Sequence, residues 1–170
     1  MSTPTKTGIA AVFAIALSVL PLAARAGAGD VAQIKALEGR FAAAFNAKDI
    51  GAIMKVYAPG PGLFVFDVVP PRQYVGADAY KKDWQSFLAT FKGPVKFTIS
   101  DLSVGAGRTF GYSHSIQTVS GTDKDGKPID LTVRVTDVYR KIAGHWRVVH
   151  EHVSVPVDLA TDKPDLTSKP

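Results

Sequence analysis

Between Asp30 and Lys48 the apolar residues Val31, Ile34, Leu37, Phe41, Ala44 and Phe45 recur at intervals of three and four. That is the repeat of an amphipathic helix, and Asp30 is placed to cap its start. A shorter helix is predicted from Asp49 to Tyr57, burying Ile50, Ile53, Met54 and Tyr57, with Ala58-Pro59-Gly60-Pro61-Gly62 to stop it. Leu63 to Val68 is apolar enough for a strand covered on both faces, and Pro70-Pro71 ends it. Gly76 to Phe91 reads as a third helix, with Tyr80, Trp84, Phe87, Leu88 and Phe91 along its inner stripe.

After Gly93-Pro94 the period shortens to two. Val95 to Val104, Arg108 to Val119, Ile129 to Lys141 and His145 to Val155 read as four successive antiparallel strands. The loop from Gly121 to Pro128 is an exposed hairpin connection whose carboxylates lack the spacing and terminal glutamate of a calcium loop. Helices first and a meander afterwards indicate an α+β fold, helices on one face of a curved antiparallel sheet, with the early strand completing a sheet edge.

Met1 to Ala26 has the form of a secretory leader: Lys6, an apolar run broken by Pro21, then Ala24-Arg25-Ala26. The expectation is a signal over 1–26, one domain over 27–158 and a loose polar tail over 159–170, in a secreted or periplasmic protein free of the membrane once cleaved. Removing Lys6 and Arg25 lowers the formal net charge from +5 to +3. With no basic run interleaved with aromatics, nucleic acid is not an expected partner. There is no cysteine, hence no disulfide framework, thiolate nucleophile or cysteine metal cage.

Chemistry concentrates in the last strand. Trp146, Val148, His150, His152 and Ser154 alternate onto one face if the strand is regular. Two histidines and a serine behind a tryptophan suit neither open water nor a dry core, so that face is expected to line a half-polar pocket.

The order of elements resembles the nuclear transport factor 2-like superfamily, in particular its SnoaL-like and ketosteroid isomerase-like branch. The resemblance spans about residues 30 to 157 and rests on Phe41-Ala42-Ala43-Ala44-Phe45-Asn46-Ala47-Lys48-Asp49, Tyr57-Ala58-Pro59, Tyr74 to Tyr80, Ser120 to Lys127, Arg134 to Arg140 and His150 to Pro156. It implies a cone-shaped, cystatin-like α+β barrel whose curved sheet wraps the N-terminal helices around one pocket, commonly in a homodimer. The fold hosts isomerases, lyases, hydrolases and non-catalytic modules, so it does not name the reaction. In ketosteroid isomerases a carboxylate after the first strand is the general base, and Asp67 holds a similar place. The helix-one tyrosine of those enzymes appears here as Phe41, which cannot donate a hydrogen bond to an oxyanion. Their second donor, an aspartic acid, falls on Thr136 or Asp137.

The hairpin joining the last two strands decides which residues meet. A three-residue loop Ile142-Ala143-Gly144 would set Thr136 opposite His150 and Arg134 opposite His152; a two-residue Ala143-Gly144 turn would bring Asp137 beside His150. The first is preferred, because Arg134 and Thr136 belong to the family-like wording. Three readings of His150, His152 and His114 stand side by side: satisfied lining of a polar core, acid/base groups working with Asp67, or a zinc site. No carboxylate or cysteine has an evident place as a fourth ligand, so no metal or cofactor is assigned. Arg134 is either a clamp for an anionic group or a structural partner for a carboxylate. The opposite face, with Val133, Val135, Tyr139, Val149 and Val153 around Arg147 and Glu151, is expected to be covered by a second subunit. The leading expectation is binding of a small, partly apolar molecule. Asp67, His150 and His152 are the candidate catalytic groups, and Tyr57, Phe66, Trp84, His114, Arg134, Thr136 and Ser154 the candidate ligand contacts. The alternative is a non-catalytic ligand-binding or association module.

Overall fold

A computed structural model describes residues 27–168; the leader expected over 1–26 lies outside the described residues. Helix α1 spans Gly27–Asn46 and turns Ile34, Leu37, Phe41, Ala44 and Phe45 inward, as their spacing predicts. It begins ahead of Asp30, whose buried carboxylate binds the Lys141 ammonium and accepts from Trp146 Nε1 at 3.1 Å. Asp49 caps the short α2, Ile50–Met54, its Oδ1 accepting from the Ala52 N–H at 2.9 Å. Next come strands β1, Phe64–Phe66, and β2, Tyr74–Val75, then helix α3, Ala77–Leu88. The meander follows as β3, Lys96–Ala106, β4, Phe110–Thr122, β5, Pro128–Ile142, and β6, His145–Ser154.

The six strands form one sheet in the order β2-β1-β6-β5-β4-β3. β1 runs parallel to β6, so the sheet is mixed rather than antiparallel throughout. The chain climbs from α2 along β6 before β1 begins: Ala58 N–H donates to Val148 O at 2.8 Å and Val148 N–H to Val56 O at 3.0 Å. The helices cover one sheet face over a core in which Phe41 and Phe45 meet Trp84 and Phe97 at ring separations of 4.4 to 5.6 Å. Burial of each such ring contributes roughly 1.5–3 kcal/mol.

Two features of the β5–β6 hairpin set everything that follows. Ile142 pairs with His145, leaving Ala143-Gly144 as a two-residue turn with φ of 48° and 81°. Positive φ at both positions matches a type I′ turn, whose twist suits a tight hairpin, and replaces the expected three-residue loop. Further along, Tyr139 pairs with Val148 but Val138 pairs with His150, so Val149 is an extra, unpaired residue. Such a bulge reverses the facing of every residue beyond it.

The C-terminal segment folds back. β7, Val157–Asp158, pairs with β8, Lys163–Pro164, and Leu166 O accepts from Thr132 N–H at 2.6 Å, beside the β5 edge that β6 leaves free. Among the described residues no helix is long and apolar enough to cross a membrane.

Candidate functional site

Before the bulge, Trp146 and Val148 face the helices; beyond it, Glu151 takes the inward position and is 6% exposed. On β5 the inward residues are Val133, Val135, Asp137 and Tyr139, all buried. Val133, Val135, Tyr139, Glu151 and Val153 belong to the face that the sequence assigned to a second subunit; they line the cone instead. Of the two positions open to the second donor, Asp137 is inside and Thr136 is exposed on the outer face.

The interior is a carboxyl–phenol network. Tyr57, just beyond α2, donates to Glu151 Oε2 at 2.9 Å, and Tyr80 of α3 donates to Glu151 Oε1. The Tyr80 hydroxyl also lies 3.2 Å from Asp67 Oδ2, so it bridges the loop after β1 to the centre of the cone. Deeper, Tyr139 OH lies 2.7 Å from Glu38 Oε1 and 3.3 Å from Asp137 Oδ2, with Ser113 Oγ 2.7 Å away. A phenol has one proton to give, and the shorter contact directs it to Glu38. Nearer the surface Tyr74 donates to Asp83 Oδ1 at 2.7 Å.

None of these carboxyls has a cationic partner within salt-bridge distance among the described residues, where the ion pair is Lys141 with Asp30. Burial therefore dominates their ionisation. It pushes Glu38, Asp67, Asp83 and Asp137 upward, with Asp83's charge adding to the rise at Asp67 and Glu151's charge to that at Asp137. Burial raises Glu151 to about 7 against the lowering effect of its two tyrosines. Asp137 Oδ1 has no donor, and Asp137 stands opposite Glu151 across the β5–β6 pair. The chain Asp67 to Tyr80 to Glu151 can carry a proton between rim and interior.

At the rim a cavity of about 80 Å³ is lined by Asp67, Asp83, Trp84, Phe87, Gln117 and Val153, among others. Trp84 lines this cavity, and its Nε1 is buried without an acceptor. An unpaired buried donor costs about 1–3 kcal/mol, which a ligand oxygen or a water would recover. Val68 and Val69, 36% and 42% exposed, make the outer lip apolar.

The structure thus brings Asp67, Tyr57 and Trp84 to the cone and sends the other candidates elsewhere. His150 and His152 leave the pocket face because Val149 reverses it. His150 Nδ1 lies 2.9 Å from Phe64 O, while Phe66 packs on both imidazoles at 5.5 and 5.6 Å between ring centres. Thr136 pairs with His152 and Arg134 with Ser154, not with His150 and His152 as expected. His114 sits opposite Thr136 on β4, so β5 separates it from His152; among the described residues no three such side chains converge as a metal-binding group. His114, Arg134 and Thr136 instead border a groove of about 600 Å³ on the outer face, closed by Pro156 and Ser168. Glu38, Tyr80, Asp83 and Glu151 were not singled out from the sequence as site groups. Glu38 sits within the inner stripe between Leu37 and Phe41, and a carboxylate among buried positions was the available signal.

Residues 34–158 match the family described as the SnoaL-like domain. None of the curated proteins matches the chain. Among solved structures, an NTF2-like protein of unknown function from Pseudomonas putida KT2440 is 29% identical, with 84% of this chain and 97% of that one covered at a TM-score of 0.74. A ketosteroid isomerase-like protein from Erwinia carotovora atroseptica SCRI1043 is 22% identical over 74% of this chain and 95% of that one, TM-score 0.62. A putative dehydratase of the NTF2-like family from Streptomyces avermitilis is 14% identical over 74% and 95%, TM-score 0.64. The last two share the fold.

Proposed function

The chain belongs to the SnoaL-like domain family, and on that premise we propose that it binds a small, partly apolar carbonyl compound at the rim of its cone and moves a proton on it, in isomerase- or lyase-type chemistry. The observation that carries this reading is that Trp84, whose indole N–H has no acceptor, lines one cavity together with Asp67. A carbonyl oxygen would accept from Trp84 Nε1, which holds it as it gains negative charge. Asp67 would take the proton from the adjacent carbon, its carboxyl already raised by burial and by Asp83 into a more basic range. Tyr80 would pass the change of charge to Glu151. The cavity is small, so only the reacting head enters, and the remainder of the molecule rests on Val68 and Val69.

Export, and a homodimer formed through the outer sheet face, belong to the same proposal; the exposed rings of Phe110 and Tyr112 support the second. An association module remains the alternative reading of that face.

The test uses the chain's two tryptophans. Titration of ¹⁵N-labelled protein with cyclopentanone should move the Trp84 indole signal and leave that of Trp146, which is bonded to Asp30. In D₂O the protein should speed deuterium uptake at the carbon beside the carbonyl, and Asp67→Asn should abolish that acceleration. A stationary Trp84 signal, or uptake unchanged in Asp67→Asn, would sink the proposal.

A further inference from the structure

A second site lies outside the cone, between α1 and α2. Leu37, Arg40 and Ala44 stand three and four apart on α1, and Ala52, Lys55 and Val56 do the same across the end of α2. With Ala43 and Arg147 of β6 they line a groove of about 380 Å³. Its floor is apolar: Leu37 and Val56 are buried, and the three alanines leave the space open because their side chains are too short to fill it. Its rim is cationic, and no acidic residue lines it.

Three observations give that rim a direction. Among the described residues Arg40, Lys55 and Arg147 have no carboxylate within salt-bridge distance. Arg147 is half-buried, and its Nη1 donates to Trp146 O at 2.9 Å, which fixes the guanidinium plane and leaves the rest of its fork unused. Arg140, the cross-strand partner of Arg147, adds a further positive charge beside it and has no carboxylate within salt-bridge distance among the described residues.

We propose that this groove binds a small amphiphilic monoanion, a free carboxylate on a short alkyl or aryl body. The carboxylate pairs with the Arg147 fork, within reach of Arg40 and Lys55, and the body lies on Leu37, Ala44 and Val56. Inorganic anions would gain the charge contact but not the floor, and neutral alcohols the floor but not the charge.

The probe is octanoate, kept below its micelle concentration, against acetate and 1-octanol. Octanoate should shift the backbone amide signals of Ala44 and Ala52, with acetate and octanol each weaker by about tenfold or more. Arg147→Met, and separately the pair Arg40→Gln with Lys55→Gln, should each weaken octanoate by about tenfold; the exposed pair keeps the test valid if Arg147→Met perturbs folding, which thermal melting reports. Octanol binding as tightly as octanoate, charge variants that bind like the parent, octanoate moving the Trp84 indole in place of these amides, or no shift at all would each overturn the proposal.

Discussion

Glu151→Gln separates the charge of the buried network from its packing. Glu151 has its carboxyl raised from an ordinary 4.5 to about 7. A group raised in this way favours the fold fully below its unfolded pKa, and that contribution is lost as pH climbs through the folded value. Over the window from 4.5 to about 7 the loss amounts to roughly 3 kcal/mol at about 1.4 kcal/mol per unit. Glu38 and Asp137 are displaced in the same direction and steepen the slope. With a urea dependence of about 2 kcal/mol per molar, the Glu151 share is about 1.5 M in the unfolding midpoint. Glutamine keeps the volume, can accept from one tyrosine, and removes the charge that raises Asp137. Urea unfolding followed by fluorescence should therefore give matching midpoints near pH 4.5, and a Glu151→Gln midpoint higher by about 1.5 M at pH 7.5. Parallel curves for the two proteins, or a parent midpoint that rises across this window, would refute the reasoning.

Two further outcomes follow from the same hairpin and its neighbours. Ala143 holds φ of 48°, a region asparagine tolerates better than alanine, so Ala143→Asn should stabilise by about 0.5–1 kcal/mol; a lowered thermal midpoint would contradict the type I′ assignment. The Lys141 ammonium holds the Asp30 carboxyl below its usual range, so the stability this gives is present above the ordinary carboxylate pKa and fades as pH falls through the folded value. In Lys141→Met the acid limb of a stability profile below about pH 4 should flatten, and an unchanged limb would mean the pair does not couple to folding.

The helices were legible because their inner stripes are long and regular: Ile34, Leu37, Phe41 and Phe45 are buried as the period requires. So were the four long strands, each of ten or more residues, whose alternation holds along most of β4 and β5 and breaks on β6 at Val149. The site was legible only in part. Asp67 and Trp84 could be read because a loop and a helix stripe fix them locally. The histidine face could not, because facing along β6 depends on one unpaired residue whose effect is not local. Val148-Val149 gave a trace of it, two apolar residues in succession where strict alternation allows one. β5 gave another: Val133, Val135 and Tyr139 alternate with Arg134 and Arg140, so the apolar side was the interior and the arginine side the exterior. Following the arginine put the cone on the wrong side of the sheet.

Val149 also sets how this protein can change over generations. Beyond it, one face of β6 carries Glu151 and the other His150 and His152. Loss of a single codon here would exchange the two faces and set His150 and His152 against Glu38 and Asp137 in place of Glu151, with no other residue altered. Chain length at this position is then a larger chemical step than any point substitution within the cone. Relatives that differ by one residue in this strand should be expected to differ in chemistry even where their remaining side chains agree.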